Sequence, residues 1–166
     1  DLNIRISHIV LMGIGEPLDN YENVIKFIKT VNNDKGLNIS MRDITLSTCG
    51  IVPKIYDLAN EQMPITLTLS LHAPNDKIRS SMMPVNDKWG VDEAIAACKK
   101  YAEKTGRRVS FEYTLINGVN DTEECAKELD SIYNGGCEDN PDICFVFMNP
   151  TGRNIASDKS WKGRKS

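Results

Sequence analysis

Five short apolar runs alternate with four amphipathic segments along this chain of 166 residues, and that alternation restricts the possible folds more than any other feature. The runs are His8–Met12, Asp43–Thr48, Ile65–Leu71, Val109–Leu115 and Ile143–Met148. Between the first two, Val24, Phe27, Ile28 and Val31 recur at the i, i+3, i+4, i+7 spacing of one buried helix face. Pro53 suits the first turn of a second helix carrying Ile55 and Leu58. After the third run, a long connection with Pro74 and Pro84 leads to a helix with Val91, Ala94, Ile95, Cys98 and Tyr101 on one side. Asp121 and Glu124 form a capping-box pattern before a last helix with Cys125, Leu129 and Ile132 facing inward. The order β-α-β-α-β-α-β-α-β predicts an α/β fold with a parallel sheet and right-handed crossovers. An open doubly wound sheet and an arc of a (β/α) barrel both satisfy it. In either, ligands gather at the carboxyl ends of the strands.

Composition narrows the class further. Apolar residues at 40% and charged residues at 26% suit a folded domain rather than a disordered chain. No apolar run approaches the roughly 18 residues of a membrane-spanning helix. The start, Asp1-Leu2-Asn3-Ile4-Arg5, has neither an initiator Met nor the pattern of a signal peptide, so the chain reads as a segment of a longer one. A net charge of −3 gives no sign of a strongly basic nucleic-acid module. The end is different: Asp158 to Lys165 holds four basic residues against one acidic residue. Residues 153–166 are expected to be a basic, disordered tail on a domain spanning 1–152, with a phosphate-contacting arm as the alternative. The five cysteines, Cys49, Cys98, Cys125, Cys137 and Cys144, are odd in number and widely spaced, which suits reduced thiols in a cytoplasm. Cys98 and Cys125 fall on apolar helix faces and read as core.

The strand ends carry the chemistry. The first run leads into Gly13-Ile14-Gly15-Glu16-Pro17. Two glycines let backbone approach a ligand, and Glu16 or nearby carbonyls could meet an ammonium; a tight turn with a solvated Glu is the plain alternative. The pattern is not the dinucleotide fingerprint. Ser47 and Thr48 end the second run, where small hydroxyls bond a ribose or carboxylate, or cap the next helix. Ser70-Leu71-His72 ends the third, with His72 available for proton transfer or for a positional hydrogen bond. Asn149 ends the fifth, and its amide could read an adenine edge or simply form an Asn-Pro turn. Together Glu16, Ser47, His72 and Asn149 should converge on one rim. They include no evident nucleophile–base pair and describe a polar small-molecule site.

Several segments taken together closely resemble one family. Met12-Gly13-Ile14-Gly15-Glu16-Pro17-Leu18, Leu46-Ser47-Thr48-Cys49-Gly50-Ile51-Val52-Pro53, Leu69-Ser70-Leu71-His72-Ala73-Pro74-Asn75-Asp76 and Met83-Pro84-Val85-Asn86 are similar to radical S-adenosylmethionine methyltransferases acting on C2 of adenosine in 23S rRNA and some tRNAs. Tyr113-Thr114-Leu115 and Gly118-Val119-Asn120-Asp121 extend the similarity, which covers roughly residues 5–150. The resemblance implies a partial (β/α)6 radical-SAM barrel with strands two to six present. It implies cofactor contacts at Gly15, Glu16, Ser47, Ser70, Leu71, His72 and Asn149. It implies S-adenosyl-L-methionine as cofactor, a [4Fe-4S] cluster in the parent protein, rRNA and tRNA as substrates, and an electron donor such as flavodoxin or ferredoxin. The related enzyme acting on C8 of adenosine is one alternative, and a non-catalytic nucleoside- or RNA-binding module is another. A cluster-free lyase with His72 as general base is a third.

The family holds its cluster through C-x-x-x-C-x-x-C, and nothing in this sequence matches that spacing. The family's methyl-carrying and resolving cysteines also fall outside the matching region. No catalytic or metal-ligating residue is therefore expected in this chain, and the 166 residues alone are expected to be inactive. The segment after Leu129 departs from the family pattern, beginning at Gly135-Gly136-Cys137.

Overall fold

The computed structural model describes residues 5–134 and 143–148. Five strands, β1 (Ile9–Leu11), β2 (Ile44–Thr48), β3 (Thr66–Ser70), β4 (Val109–Thr114) and β5 (Ile143–Met148), form one sheet. The spatial order is β1-β2-β3-β4-β5, and every neighbouring pair is parallel. This order decides between the two architectures that the sequence left open. A doubly wound sheet reverses strand order at a switch point, whereas strands laid down in sequence with right-handed crossovers put every helix on one face and make an arc of a barrel. The connecting helices are α1 (Tyr21–Asn32), α2 (Val52–Asn60), α3 (Asp76–Met82), α4 (Val91–Thr105) and α5 (Glu123–Asn134).

Period-2 alternation divides the sheet into two chemically different faces. Leu46 on β2, Leu67 and Leu69 on β3, and Phe111 and Tyr113 on β4 are fully buried. They share one cluster with Ile28 of α1, Ile55 and Leu58 of α2, and Ala94, Cys98 and Tyr101 of α4. Each such Leu, Ile or Phe contributes about 1.5–3 kcal/mol relative to an exposed one. Tyr101 satisfies its buried hydroxyl by donating to the carbonyls of Met63 at 3.1 Å and Ile65 at 2.9 Å, which locks α4 over the start of β3. The intervening residues, Thr45, Ser47, Thr66, Thr68, Ser70, Ser110 and Glu112, fall on the opposite face. A parallel sheet covered by helices on both sides reads as continuous aliphatic residues. Here one face is lined with hydroxyls, as the wall of a ligand-holding cavity would be.

Two local expectations require correction. The buried stripe of α1 is Tyr21, Ile25, Ile28 and Val31, while Phe27 is 42% exposed and Val24 only partly buried. A turn at Pro17–Asn20 sinks Leu18 to 1% exposure just ahead of α1 and sets the helix's rotation, which side-chain spacing alone could not do. The cap of α5 is Thr122, whose Oγ1 accepts the Cys125 N–H at 3.2 Å; Asp121 instead accepts the Gly118 N–H at 2.8 Å. Cys98 and Cys125 are buried as expected. Cys137, the departing segment from Gly135 and the basic tail 153–166 lie outside the described residues. No helix among the described residues is long and apolar enough to cross a membrane.

Candidate functional site

The carboxyl ends of β1 to β4 are joined by one continuous network of hydrogen bonds. At the end of β1 the backbone turns with φ of +119° at Gly13 and +91° at Gly15, a region that L side chains rarely adopt. The turn aims Glu16 back at its neighbours. Its Oε1 accepts the Leu18 N–H at 3.0 Å and its Oε2 accepts the Cys49 N–H at 2.7 Å, tying the end of β1 to the end of β2. The carboxylate therefore has a structural duty that the sequence reading did not foresee. For a bound cation, the turn's carbonyls and the carboxylate's remaining lone pairs are the groups on offer.

At the end of β2 the two hydroxyls separate in role. Thr48 is 1% exposed and its Oγ1 accepts the Gly50 N–H at 3.0 Å, closing a local turn. Ser47 lies on the hydroxyl-lined face with its Oγ 3.4 Å from Ser70 Oγ. Ser70 stands beside Glu112, its register partner on β4. Glu112 is 9% exposed, and its burial raises its pKa, with the neighbouring Ser70 hydroxyl acting the other way. No basic side chain among the described residues pairs with it.

At the end of β3 the chain makes an abrupt turn around His72. Its φ is +58°, and the Ala73 N–H returns to the Leu71 carbonyl at 2.8 Å, giving a γ-turn with positive φ at its central residue, which is rare and strained. Asn120 holds this shape. Its Nδ2 donates to the carbonyls of His72 at 2.7 Å and Thr114 at 2.8 Å, and its Oδ1 accepts the Ile116 N–H at 2.6 Å. The His72 ring is fixed too, because Nδ1 accepts the Thr114 N–H at 3.1 Å. A ring nitrogen that accepts from a backbone amide carries no proton, so the hydrogen sits on Nε2. Burial, and secondarily the Arg79 charge, lower the His72 pKa. His72 is thus a neutral, positioned Nε2–H donor, which counts against the general-base role that the sequence left open. Leu71 buries its side chain completely in the core and enters the site through its backbone.

Arg79 is the residue that sequence reasoning missed most completely. It projects from α3, a helix in what was expected to be an irregular connection, and it is fully buried. Asn75 starts α3 by accepting the Ile78 N–H at 3.0 Å, and Pro84 follows its end. Arg79 Nη2 donates to the carbonyls of Cys49 at 2.6 Å and Ser70 at 3.1 Å. Its Nε donates to Leu71 O at 3.0 Å and its Nη1 to Asn86 Oδ1 at 3.0 Å. A cation embedded in a polar–apolar–polar run such as Lys77-Ile78-Arg79-Ser80 gives no sequence signal of this. Glu112 did give one, the only charge in its strand, set between Phe111 and Tyr113. Asn149 lies outside the described residues. Among those described, no group of three His, Cys, Asp or Glu side chains could hold a metal ion.

A one-sided parallel arc with a polar network at its strand ends defines a segment of a (β/α) barrel. The chain belongs to the Radical SAM superfamily, whose family model matches residues 2–129. Particular relatives are much closer. A protein of Clostridium acetobutylicum named "Probable dual-specificity RNA methyltransferase RlmN" is 57% identical over all of this chain and 46% of its own length. Its namesake in Clostridium novyi is 59% identical over 98% of this chain and 45% of its own. Among solved structures, a radical SAM methyltransferase from Sphaerobacter thermophilus superposes with a TM-score of 0.78 at 42% identity, covering 86% of this chain and 40% of that one. The chain therefore spans a little under half the length of these relatives. The partial-barrel fold and the family resemblance both stand.

Proposed function

We propose that this chain forms the S-adenosyl-L-methionine cradle of a radical SAM methyltransferase that acts on C2 of adenosine in 23S rRNA and tRNA. The observation that carries the reading is the single network joining Glu16, Ser47, Ser70 and His72 at the carboxyl ends of consecutive parallel strands. The 57% identity to an RNA methyltransferase over the whole chain supports it. Gly15 and Glu16 would receive the methionine end of the cofactor, where carbonyls and a carboxylate suit an ammonium. Ser47 and Ser70 offer hydroxyls to its ribose or carboxylate. His72 offers one N–H to an acceptor, and by the family resemblance Asn149 would touch the adenine. The cofactor, when bound beside the cluster, supplies both the methyl group and the radical chemistry.

The residues of this chain do not fit the [4Fe-4S] cluster itself. The sequence lacks C-x-x-x-C-x-x-C, and no ligand triad occurs among the described residues. In this reading the cluster cysteines and the two catalytic cysteines belong to other parts of the parent protein, and this chain contributes cofactor contacts only. A flavodoxin- or ferredoxin-type donor would supply electrons. The cytoplasm fits, since the four described cysteines are free thiols.

The test is expression of the full-length gene in cells lacking their own adenosine methyltransferase, followed by mass spectrometry of nucleosides from 23S rRNA and tRNA. Appearance of 2-methyladenosine in both supports the proposal. Appearance of 8-methyladenosine moves the protein to the C8 enzymes, and unmodified adenosine at both sites refutes the reading.

A further inference from the structure

We infer that Arg79 is a positioning residue for the cofactor site: its buried guanidinium braces the γ-turn that presents His72 and fastens that turn to the end of β2. The inference rests on the proposed cofactor cradle and concerns a residue that touches no ligand, since Arg79 is fully buried behind the rim.

The geometry explains why arginine is needed. Successive carbonyls of a regular strand point to opposite sides. Ser70 and Leu71 both direct theirs at Arg79, at 3.1 and 3.0 Å, so the chain has left strand geometry one residue before His72. That departure is the strained part of the site. The Leu71 carbonyl closes the γ-turn with Ala73 and takes the Arg79 Nε–H in addition. A side chain in the left-handed region is strained and persists only where surrounding contacts over-determine it. Arg79 supplies that restraint from behind, as Asn120 does from the other side.

The same guanidinium reaches Cys49 O at 2.6 Å, and Cys49 N is the atom held by Glu16. One planar fork thus sets the spacing between the Glu16–Ser47 side of the site and the Ser70–His72 side. Lysine could not do this: its ammonium is a single point, while the three carbonyls and Asn86 Oδ1 are met by Nε, Nη1 and Nη2 of a rigid plane. Asn86 anchors the fork, with its Nδ2 donating to Asp76 Oδ1 and Ser80 Oγ, both at 3.0 Å. Among the described residues no carboxylate forms an ion pair with the cation, and its four hydrogen-bond acceptors are carbonyl oxygens. This is the arrangement expected of a group recruited to gather backbone rather than to form an ion pair.

The test uses the full-length protein. Arg79→Lys keeps the charge and removes the fork. The expected result is a lowered melting temperature, because buried carbonyls lose their donors, together with S-adenosylmethionine bound about tenfold or more weakly by the folded protein. The amides of Ala73 and Thr114 should exchange faster while that of Leu69, in mid-strand, is unchanged. A purely structural role would lower the melting temperature in the same way but leave cofactor affinity in the folded fraction untouched. A folded Arg79→Lys protein with parental affinity and parental exchange overturns the inference. If Arg79→Lys does not fold, Asn86→Ser decides, because it loosens one arm of the fork: a severalfold loss of affinity supports the inference, and unchanged affinity and exchange overturn it. If the parent protein itself fails to bind S-adenosylmethionine, the cradle reading falls, and exchange at Ala73 and Thr114 still reports whether Arg79 holds the turn.

Discussion

Asn120 offers the sharpest test of the idea that buried backbone groups at the site depend on one side chain. It is 1% exposed, and its amide makes three hydrogen bonds, to Ile116 N, His72 O and Thr114 O, at 2.6, 2.7 and 2.8 Å. Replacing it with Ala removes all three at once. Each orphaned buried group costs about 1–3 kcal/mol unless water reaches it, so Asn120→Ala should destabilise by about 2–4 kcal/mol once partial rehydration is allowed. Asn120→Asp is the more telling variant. It keeps an acceptor for Ile116 N–H but turns two donors into lone pairs facing two carbonyls. Ionised, that carboxylate is repelled and poorly hydrated, so its folded pKa should lie above the unfolded value near 3.9. A raised folded pKa means stability present at low pH and lost as pH rises through the folded value. Asn120→Asp should therefore be less stable than Asn120→Ala at pH 7 and recover toward it near pH 4. Urea denaturation at several pH values measures this. If Asn120→Ala shifts stability by less than about 0.5 kcal/mol, or Asn120→Asp shows no pH dependence beyond the parent's, the argument is wrong.

Further consequences are as direct. His72 has a folded pKa below its unfolded one, so its contribution is fully present above pH ~6.5 and is lost as pH falls through the folded value; His72→Gln should flatten that part of the stability–pH curve. Glu112 has the opposite sign, since burial raises its pKa: its ionised form weighs against the fold at neutral pH, and Glu112→Gln should be more stable than the parent at pH 7 and converge with it in acid. On α1, Ile28→Ala should cost about 2–5 kcal/mol while Phe27→Ser stays within about 0.5 kcal/mol; comparable losses would show the buried stripe to be misassigned. Finally, the 166 residues alone, supplied with iron, sulfide, reductant and S-adenosylmethionine, should leave RNA unmethylated, as tritium transfer from the labelled methyl group would show.

The strand positions were readable as short apolar runs with turn residues after them, and three of the five runs also alternate in polarity. β2, β3 and β4 lie within a residue of the runs that predicted them. The faces of α2 and α4 were equally readable, since Ile55, Leu58, Val91, Ala94, Ile95, Cys98 and Tyr101 all pack into one cluster. α3 was not. It is seven residues long and its one buried side chain is an arginine, so it has no apolar period to detect. Glu16, Ser47 and His72 were identified from their place at the ends of predicted strands, and Ser70 from the family resemblance, but none of them from its partners. Nothing in a run of letters says that Glu16 meets Cys49, 33 positions away, or that Thr114 donates to His72 across 42.

Local patterning, then, was enough to specify alternating elements, a parallel sheet and which strand ends would carry polar groups, because side-chain period and turn chemistry act between near neighbours. Strand order, the protonation of His72 and the recruitment of Arg79 arose on assembly. Those depend on carbonyls and amides from distant segments losing water together and having to find partners in one another.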